Sequence, residues 1–539
     1  MYSIGVSSAV ARLGFFHQER IFILNISYRN FLVGRLTVAS GTFCFGFIAM
    51  FSKYNWLLFL VFTSFWVNML IFNVLQPKPY MDEELHMEQA QRYCKGHLSS
   101  YDSRISTPPG LYLWPWLLSI LAKLLFVSGL DSFICSVLSL RLICVCFALL
   151  LWLELKNWSR LSRRRISSIQ LLFLWSHPIL FFYYFFYYTD VPSLYFGLHC
   201  LRSSYERLPI KAAFFATLAT LHRQTSLVYH LVSCLILTSH LLDCSAEMRS
   251  SSNIVSFLAK LLDNIMVNPL ACFHMCWPHL VCLIGYGLWL IQRGTVAIGH
   301  AEHHRIIFHP TMILYFLCYE LLFYPPSVFQ VVRFLKSLRR SPLYWQFMSI
   351  VFFMCLRYYV YLHPFLLSDR RHYTFLFVRL VFQKSKYLKY VIILFGLVSV
   401  YSMEEKLLRL RVLERTYLTL LIGIPFTFIP LLELRYFVPN YIIIHLVCLI
   451  FTSNKFERDS RKRKGEGEQN VDCYSVNLCD SDNLTFYRCI WNVFCYVVFF
   501  MMFYCFPLDH WKGPGNDLRL LLSYLHLDCR KCALERMMP

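Results

Sequence analysis

The sequence is a succession of apolar runs of membrane-span length, cut by short charged or turn-rich loops. That pattern decides the solvent before it decides the fold. The chain is 57% hydrophobic and only 15% charged, against about 25% charged in a soluble globular domain. One water-facing core cannot bury that much apolar side chain, so hydrocarbon must solvate much of the surface. A membrane barrel would need strands of about ten residues that alternate apolar and polar. These runs do not alternate, so the backbone must satisfy its hydrogen bonds within helices. The expectation is an all-α integral membrane protein, a polytopic helical bundle of roughly a dozen spans.

Candidate spans are 34–51, 56–76, 109–128, 134–153, 168–188, 190–206, 211–222, 225–242, 277–292, 306–330, 344–366, 387–401, 416–432, 438–453 and 488–507. Several are shorter than the roughly 20 residues of a perpendicular crossing and read as broken or re-entrant helices. The organisation is an N-terminal extension (1–33), a transmembrane bundle (34–453) with one long polar loop at 77–108, and a basic insert (454–487). A last transmembrane helix (488–507) and a tail (508–539) follow. The insert is charged and glycine-containing and reads as a disordered cytosolic loop.

A net charge of +21 on a soluble protein would suggest nucleic acid. Here the basic residues sit in short loops between spans, where they set orientation, so no nucleic-acid partner is expected. The richest loops are 160–165, 333–340, 406–415 and 455–464, and the positive-inside rule places all four in the cytosol. Alternation then gathers five other stretches on the far face: Tyr188–Asp190, His222–Gln224, 293–305, 368–386 and Glu433–Tyr436. Ionisable groups at a membrane edge are costly, so a set sharing one face is a candidate functional site, although each arginine alone also suits headgroup anchoring. The loop 77–108 belongs with this set. Two full crossings at 109–128 and 134–153 would place it opposite, so either one of them does not cross or the rule fails there.

Most of the 21 cysteines lie inside apolar runs, as Cys44, Cys144, Cys146 and Cys448 do, where a thiol behaves as a small hydrophobe. Only Cys529 and Cys532 have the gap of a metal or redox pair, and no second pair completes a zinc site. His300, His303, His304 and His309 read as a solvated histidine-rich loop. No bound metal is expected. Asn25, Asn157 and Asn483 head glycosylation acceptor patterns, and the last two fall on the cytosolic side.

The loop at 77–108 is the most informative. Asp82 can cap a helix running to about Cys94, with Glu83 and Glu84 in its first turn and Gly96 just after its end. The same carboxylate at the membrane edge could instead deprotonate a hydroxyl. Thr107-Pro108-Pro109-Gly110-Leu111-Tyr112 makes a rigid turn into the next apolar run.

Several separated stretches carry a family resemblance. They are Tyr80-Met81-Asp82-Glu83 with His86, Gln89-Ala90-Gln91-Arg92-Tyr93-Cys94, the Thr107–Tyr112 turn, Tyr187-Tyr188-Thr189-Asp190, Arg223-Gln224-Thr225, the stretch from His363 to Phe375, and Glu433-Leu434-Arg435-Tyr436-Phe437. In this order they resemble the dolichyl-phosphate-glucose-dependent alpha-1,2-glucosyltransferase family, which adds the last glucose to the lipid-linked precursor of protein N-glycosylation. Two departures stand out. Where the family usually has Gly-Asp-Lys, this chain reads Gly299-His300-Ala301-Glu302-His303-His304. Glu84-Leu85 precede His86 where an aromatic is usual.

The resemblance implies a bundle similar to the polyprenyl-phosphate-sugar glycosyltransferases (the GT-C fold), in the endoplasmic reticulum membrane with a lumenal active site. The partners it implies are dolichyl-phosphate glucose as donor, a dolichyl-diphosphate oligosaccharide as acceptor, and membrane lipid. No protein partner is indicated, and no cofactor beyond the lipid donor is implied. The donor linkage is beta and the product alpha, so the anomeric centre inverts. Inversion needs one base and no carboxylate nucleophile, and the phosphate leaving group needs fixed positive donors. Asp82 is the expected base, with Glu83 the alternative. Arg370, Arg371, His372 and Tyr373 would hold the donor phosphate, with Arg435 and Arg223 as further partners. His86, Asp190 and Gln224 would contact sugar or acceptor. A lipid or solute transporter, a flippase, or a mannosyltransferase of the same class are the competing readings.

Overall fold

The computed structural model describes residues 55–125, 133–162, 166–242, 253–294, 298–299, 306–363, 381, 387–451 and 482–505. Outside them lie the run 34–51, the insert up to 481, Cys529 and Cys532, and His300, His303 and His304. Arg370, Arg371, His372 and Tyr373, expected to hold the donor phosphate, also lie outside the described residues.

Every regular element among the described residues is helical. The chain divides after Asn68 into two compact units. Of the first, the described part is Asn55–Asn68, the start of apolar helix α1 (Asn55–Leu75). All else concerns the second unit. A short polar helix, α2 (Glu83–Cys94), follows, then α3 (Gly110–Leu124) and α4 (Val137–Trp158). The run read as one span at 168–188 is two helices, α5 (Ser168–Trp175) and α6 (Pro178–Tyr183). Pro178 lacks an N–H and forces His177 out of the helical region (ψ 127°), so the helix stops and restarts.

Next come α7 (Asp190–Tyr205), α8 (Pro209–His222) and α9 (Val228–Leu242). After these are α10 (Ile254–Val267), α11 (Pro269–Arg293), α12 (Thr311–Phe323) and α13 (Val328–Arg340). The described helices end with α14 (Pro342–Tyr358), α15 (Val391–Leu407), α16 (Val412–Phe428), α17 (Val438–Phe451) and α18 (Asp482–Cys505). Three segments among the described residues are long and apolar enough to cross a membrane, Val137–Leu161, Pro269–Arg293 and Leu434–Phe451, and four shorter helices are also apolar. The protein is therefore a helical membrane protein. The run at 306–330 is also broken: Pro325 and Pro326 end α12, and a capping box of Ser327 and Gln330 starts α13. The basic stretch 333–340 is thus not a loop. It is the polar side of α13, whose Val328, Phe329, Val332 and Leu335 are exposed, as in a helix lying in a membrane interface.

The parity problem is resolved by a disulfide. Cys94, at the end of α2, is bonded to Cys135, just before α4, with Cα atoms 6.5 Å apart. Gln91 Nε2 reinforces the join by donating to the Cys135 carbonyl at 3.2 Å. The intervening α3 has 15 residues and Pro115 within it, about 22 Å of helix against about 30 Å of hydrocarbon. It leaves and returns on one face. The reading of 109–128 as a crossing is therefore corrected. The sequence alone does not pair these cysteines: Cys94 figures only as the end of a helix and in a motif, and Cys135 falls at the edge of the run 134–153.

One buried ion pair ties this face together. Glu83 is 0% exposed, and Arg141 of α4 holds both its oxygens, Nε to Oε1 at 2.9 Å and Nη2 to Oε2 at 2.8 Å. The backbone N–H groups of Tyr187 and Tyr80 donate to the same two oxygens, each at 2.8 Å. Arg141 also donates to the carbonyls of Gln76 (2.7 Å) and Lys78 (3.1 Å). The end of α1, the start of α2, the middle turn at Tyr187 and α4 thus share one node. Arg141→Met leaves a carboxylate buried without its counter-charge, and we expect a loss of about 3–5 kcal/mol. Thermal unfolding in detergent measures it. Adding Glu83→Gln should cost less than the sum of the single changes, and additive losses would show that the two side chains do not act as a pair.

Candidate active site

The face carrying the disulfide collects the helix starts that bear charge. Met81 sits in the left-handed region at φ +52°, a strained conformation for a side-chain-bearing residue, and it turns the chain into Asp82. The two adjacent acids part company here. Glu83 is consumed in the buried node. The Asp82 side chain is 40% exposed, and its Oδ2 accepts from Arg435 Nη2 at 3.0 Å. It makes no capping hydrogen bond to α2, so the capping reading of Asp82 does not hold, although the helix itself runs from Glu83 to Cys94 and ends before Gly96 as the pattern predicts.

Arg435 is the centre of the cluster. It lies on a 3-10 turn (Leu434–Phe437) that leads into α17. Glu433 accepts from its Nε, Asp82 from one Nη, and Asp190 Oδ2 lies 3.8 Å from the other. The rings of Tyr188, Tyr436 and Tyr183 surround the guanidinium at 5.0, 5.5 and 5.8 Å. Arg223 ends α8 in an extended conformation (φ −146°), which swings its side chain to Asp190 Oδ1 and over the Tyr436 ring at 4.6 Å. Three carboxylates thus meet two guanidiniums. Asp190 Oδ2 is buried and accepts no hydrogen bond from the described residues, an acceptor matched to a hydroxyl donor.

His86 lies one helical turn beyond Asp82. Its Nδ1 pairs with the Tyr112 hydroxyl at 2.7 Å, and its ring meets Tyr188 edge-on at 5.7 Å. Burial pushes its pKa down to about 4, helped by Arg435 and opposed by Asp82, so the imidazole is neutral at physiological pH. Gln224 Nε2 donates to the Ser106 carbonyl at 2.9 Å, tying its turn to the loop before α3. The same loop receives the chain after α11, for Ile298 N donates to Ser106 O at 3.4 Å. A Cβ on Gly299 would lie 2.1 Å from Ser103 O, so only glycine fits that approach.

Asp82, His86, Asp190, Arg223 and Arg435, drawn from four separate stretches, are brought together. Gln224 supports a neighbouring loop and Glu83 lies behind the cluster. Sequence reasoning missed Glu433 and the tyrosines at 112, 183, 188 and 436. Most of these sit beside or within the quoted motifs, and nothing in one sequence marks which neighbour faces inward. It also missed Arg141, which carried a visible signal as an arginine deep in an apolar run. Among the described residues, no three His, Cys, Asp or Glu side chains are grouped to hold a metal ion.

A model of the DIE2/ALG10 family matches residues 76–446, a stretch that includes every residue of the cluster. A Mus musculus protein named Dol-P-Glc:Glc(2)Man(9)GlcNAc(2)-PP-Dol alpha-1,2-glucosyltransferase is 26% identical over 421 residues, 71% of this chain and 87% of the relative. Proteins of the same name from Arabidopsis thaliana and Candida albicans are 27% identical over 466 residues (72% and 90% covered) and 26% identical over 430 residues (74% and 91% covered). No solved structure matches the chain.

The state of His86 is testable by pH. Its folded pKa is depressed from 6.5 to about 4, so the unfolded chain binds more protons between those values and stability falls as pH drops through them. A His86→Gln variant lacks this term. The gap in melting temperature between wild type and variant should close from pH 7 to pH 4. A constant gap would show that the imidazole does not titrate in this way.

Proposed function

The chain belongs to the DIE2/ALG10 family, and from this premise we propose that it transfers glucose from dolichyl-phosphate glucose, in alpha-1,2 linkage, to the diglucosylated dolichyl-diphosphate oligosaccharide. The observation that carries the reading is the convergence of Asp82 with Arg435, Arg223 and Asp190 at one end of the bundle. A glycosyl transfer with inversion needs one base on the acceptor hydroxyl and positive charge on the departing phosphate, and this cluster supplies both.

In this mechanism the Asp82 carboxylate takes the acceptor hydroxyl proton as that oxygen attacks the anomeric carbon. The bond from that carbon to the donor phosphate oxygen breaks, and dolichyl phosphate leaves as an anion. Arg435 and Arg223, with Arg370, Arg371, His372 and Tyr373, bind the phosphate, the guanidinium forks matching its oxygens. Glu433 fixes the Nε side of Arg435, which leaves its Nη groups directed toward Asp82 and Asp190. Asp190 accepts a sugar hydroxyl. Neutral His86, oriented by Tyr112, lines the acceptor side. The chemistry calls for no cofactor beyond the lipid donor.

The setting we infer is the endoplasmic reticulum membrane, with the cluster in the lumen and a GT-C type of bundle around it. Two features support this. The Cys94–Cys135 disulfide beside the cluster suits an oxidising compartment. The described basic residues of 333–340 and 406–415 lie toward the opposite end, where Arg333 pairs with Glu405 and Arg411 lies over Phe451, the last residue of α17, as a cytosolic face requires. The names of the relatives favour glucose over mannose as the transferred sugar, and no observation favours a transporter.

The test is a microsomal assay with labelled dolichyl-phosphate glucose and the diglucosylated acceptor. Asp82→Asn should lower kcat by about 10²–10⁴ while the protein melts as wild type does. An inserted Asp82→Asn enzyme of full activity would remove Asp82 from the mechanism. Arg435→Lys should also lose activity, since a point charge does not replace a fork held by three carboxylates.

A further inference from the structure

A second cluster of charge lies at the other end of the bundle, apart from the candidate active site. Along α17, His445 is ten residues from Arg435, about 15 Å of helix rise. Beside it opens a small cavity of about 50 Å³, lined on its polar side by Gln170, Lys406, Arg409, His445, Thr485 and Arg488. These come from α5, α15 and the turn after it, α17 and α18.

The charges in this cavity do not balance. Glu320 of α12 is buried and already engaged, with Lys406 Nζ at 2.5 Å and His445 Nε2 at 3.0 and 3.1 Å. Lys406 and Arg488 both press on the Tyr324 ring, at 3.6 and 3.5 Å from its centroid. Arg488 is only 7% exposed, its Nε is buried and donates no hydrogen bond, and no carboxylate among the described residues pairs with it. A guanidinium buried without a counter-ion is costly. The Tyr324 face offsets part of that cost but leaves an N–H unsatisfied and sets two like charges on one ring. Among the described residues, Lys406 and Arg488 thus share one carboxylate, Glu320, and only Lys406 reaches it.

We propose that this cavity binds the phosphate group of an anionic ligand, held by Arg488, Lys406 and Arg409 with Thr485 and Gln170 as neutral partners. A phosphate oxygen at Arg488 would satisfy the orphan donor and separate the two cations, and an arginine fork matches phosphate geometry. The chemistry is shared by a phospholipid headgroup and a soluble phosphate. The cavity can receive either, because Tyr487, Ile490, Val493 and Phe494 on the outer face of α18 are exposed, as a lipid-facing surface is, while α15 ends at the polar, basic end.

The experiment follows thermal unfolding of the purified full chain along two arms. One titrates millimolar inorganic phosphate in neutral detergent, against chloride at matched ionic strength. The other compares lipid nanodiscs of phosphatidylcholine alone with nanodiscs containing phosphatidylserine. Stabilisation by a bound ligand grows with its saturation, so the melting temperature should rise by several degrees in at least one arm. A rise with phosphate assigns a soluble ligand, and a rise only with phosphatidylserine assigns a lipid headgroup. Arg488→Gln should weaken the apparent affinity at least tenfold and be no less stable than wild type without anion, since it removes an uncompensated charge. Arg409→Gln, at the lining, gives a second reading of the affinity should Arg488→Gln fail to fold. Asp82→Asn should keep the full shift, which separates this cavity from the proposed transferase site. No shift in either arm, or equal shifts in wild type and both cavity variants, overturns the proposal.

Discussion

The arrangement of the charged face depends on the pairing of Glu83 with Arg141. A carboxylate removed entirely from water stays ionised only when its oxygens are filled, and this one receives two guanidinium and two backbone donors. Tyr80 is a near neighbour, but Arg141 and Tyr187 come from positions 58 and 104 residues away in sequence, so the node is mainly a tertiary contact. Its consequence for the site is geometric. With Glu83 turned inward and Met81 in the left-handed region, the intervening Asp82 is left to point at Arg435. The buried pair sets a direction, and specifying one arrangement over another is the use of a buried ion pair that is best attested.

The Cys94–Cys135 bond does for topology what the ion pair does for direction. It requires both ends of the segment holding α3 to lie on one face, and so it removes one crossing from the count that hydropathy suggests. With that crossing gone, the loop before α3 falls on the same side as Asp190, Arg223 and Arg435, and a single cluster can form. Window-based hydropathy could not reach this result, because α3 is as apolar as a span and only its length and its internal proline set it apart.

The class of fold was plain in the sequence. Charge in the loops is a local signal that groups loops by face. It placed Asp190, Arg223 and Arg435 on one face before any contact was known. Helix ends at Pro178 and at Pro325–Pro326 follow from the chemistry of proline, yet long apolar runs there masked the breaks. What could not be read was the division of labour between Asp82 and Glu83. Adjacent acids in one motif look alike until a partner chooses between them, and that partner, Arg141, is a residue of a different apolar run. The same holds for Glu320 and His445, in two separate apolar runs, and Lys406, in a basic loop by sequence, whose meeting is a property of the packing.

The two ends of the bundle have opposite charge balances, and that asymmetry has a physical rationale. At the disulfide end, three carboxylates surround two guanidiniums, so Arg435 and Arg223 are held in place by acids before any substrate arrives. Fixed charge of this kind needs no rearrangement during reaction, and the carboxylates keep the two arginines from repelling each other. At the other end, Glu320 neutralises Lys406, while Arg488 stacks on Tyr324 and pairs with no carboxylate among the described residues. A network closed on itself gains rigidity, whereas an open one invites a counter-ion. The difference between the two clusters therefore lies in their remaining valence. One has an unfilled acceptor, Asp190 Oδ2, suited to a neutral hydroxyl. The other has an unfilled donor, Arg488 Nε, suited to an anion. Each orphan atom states the chemistry of the group that would complete it.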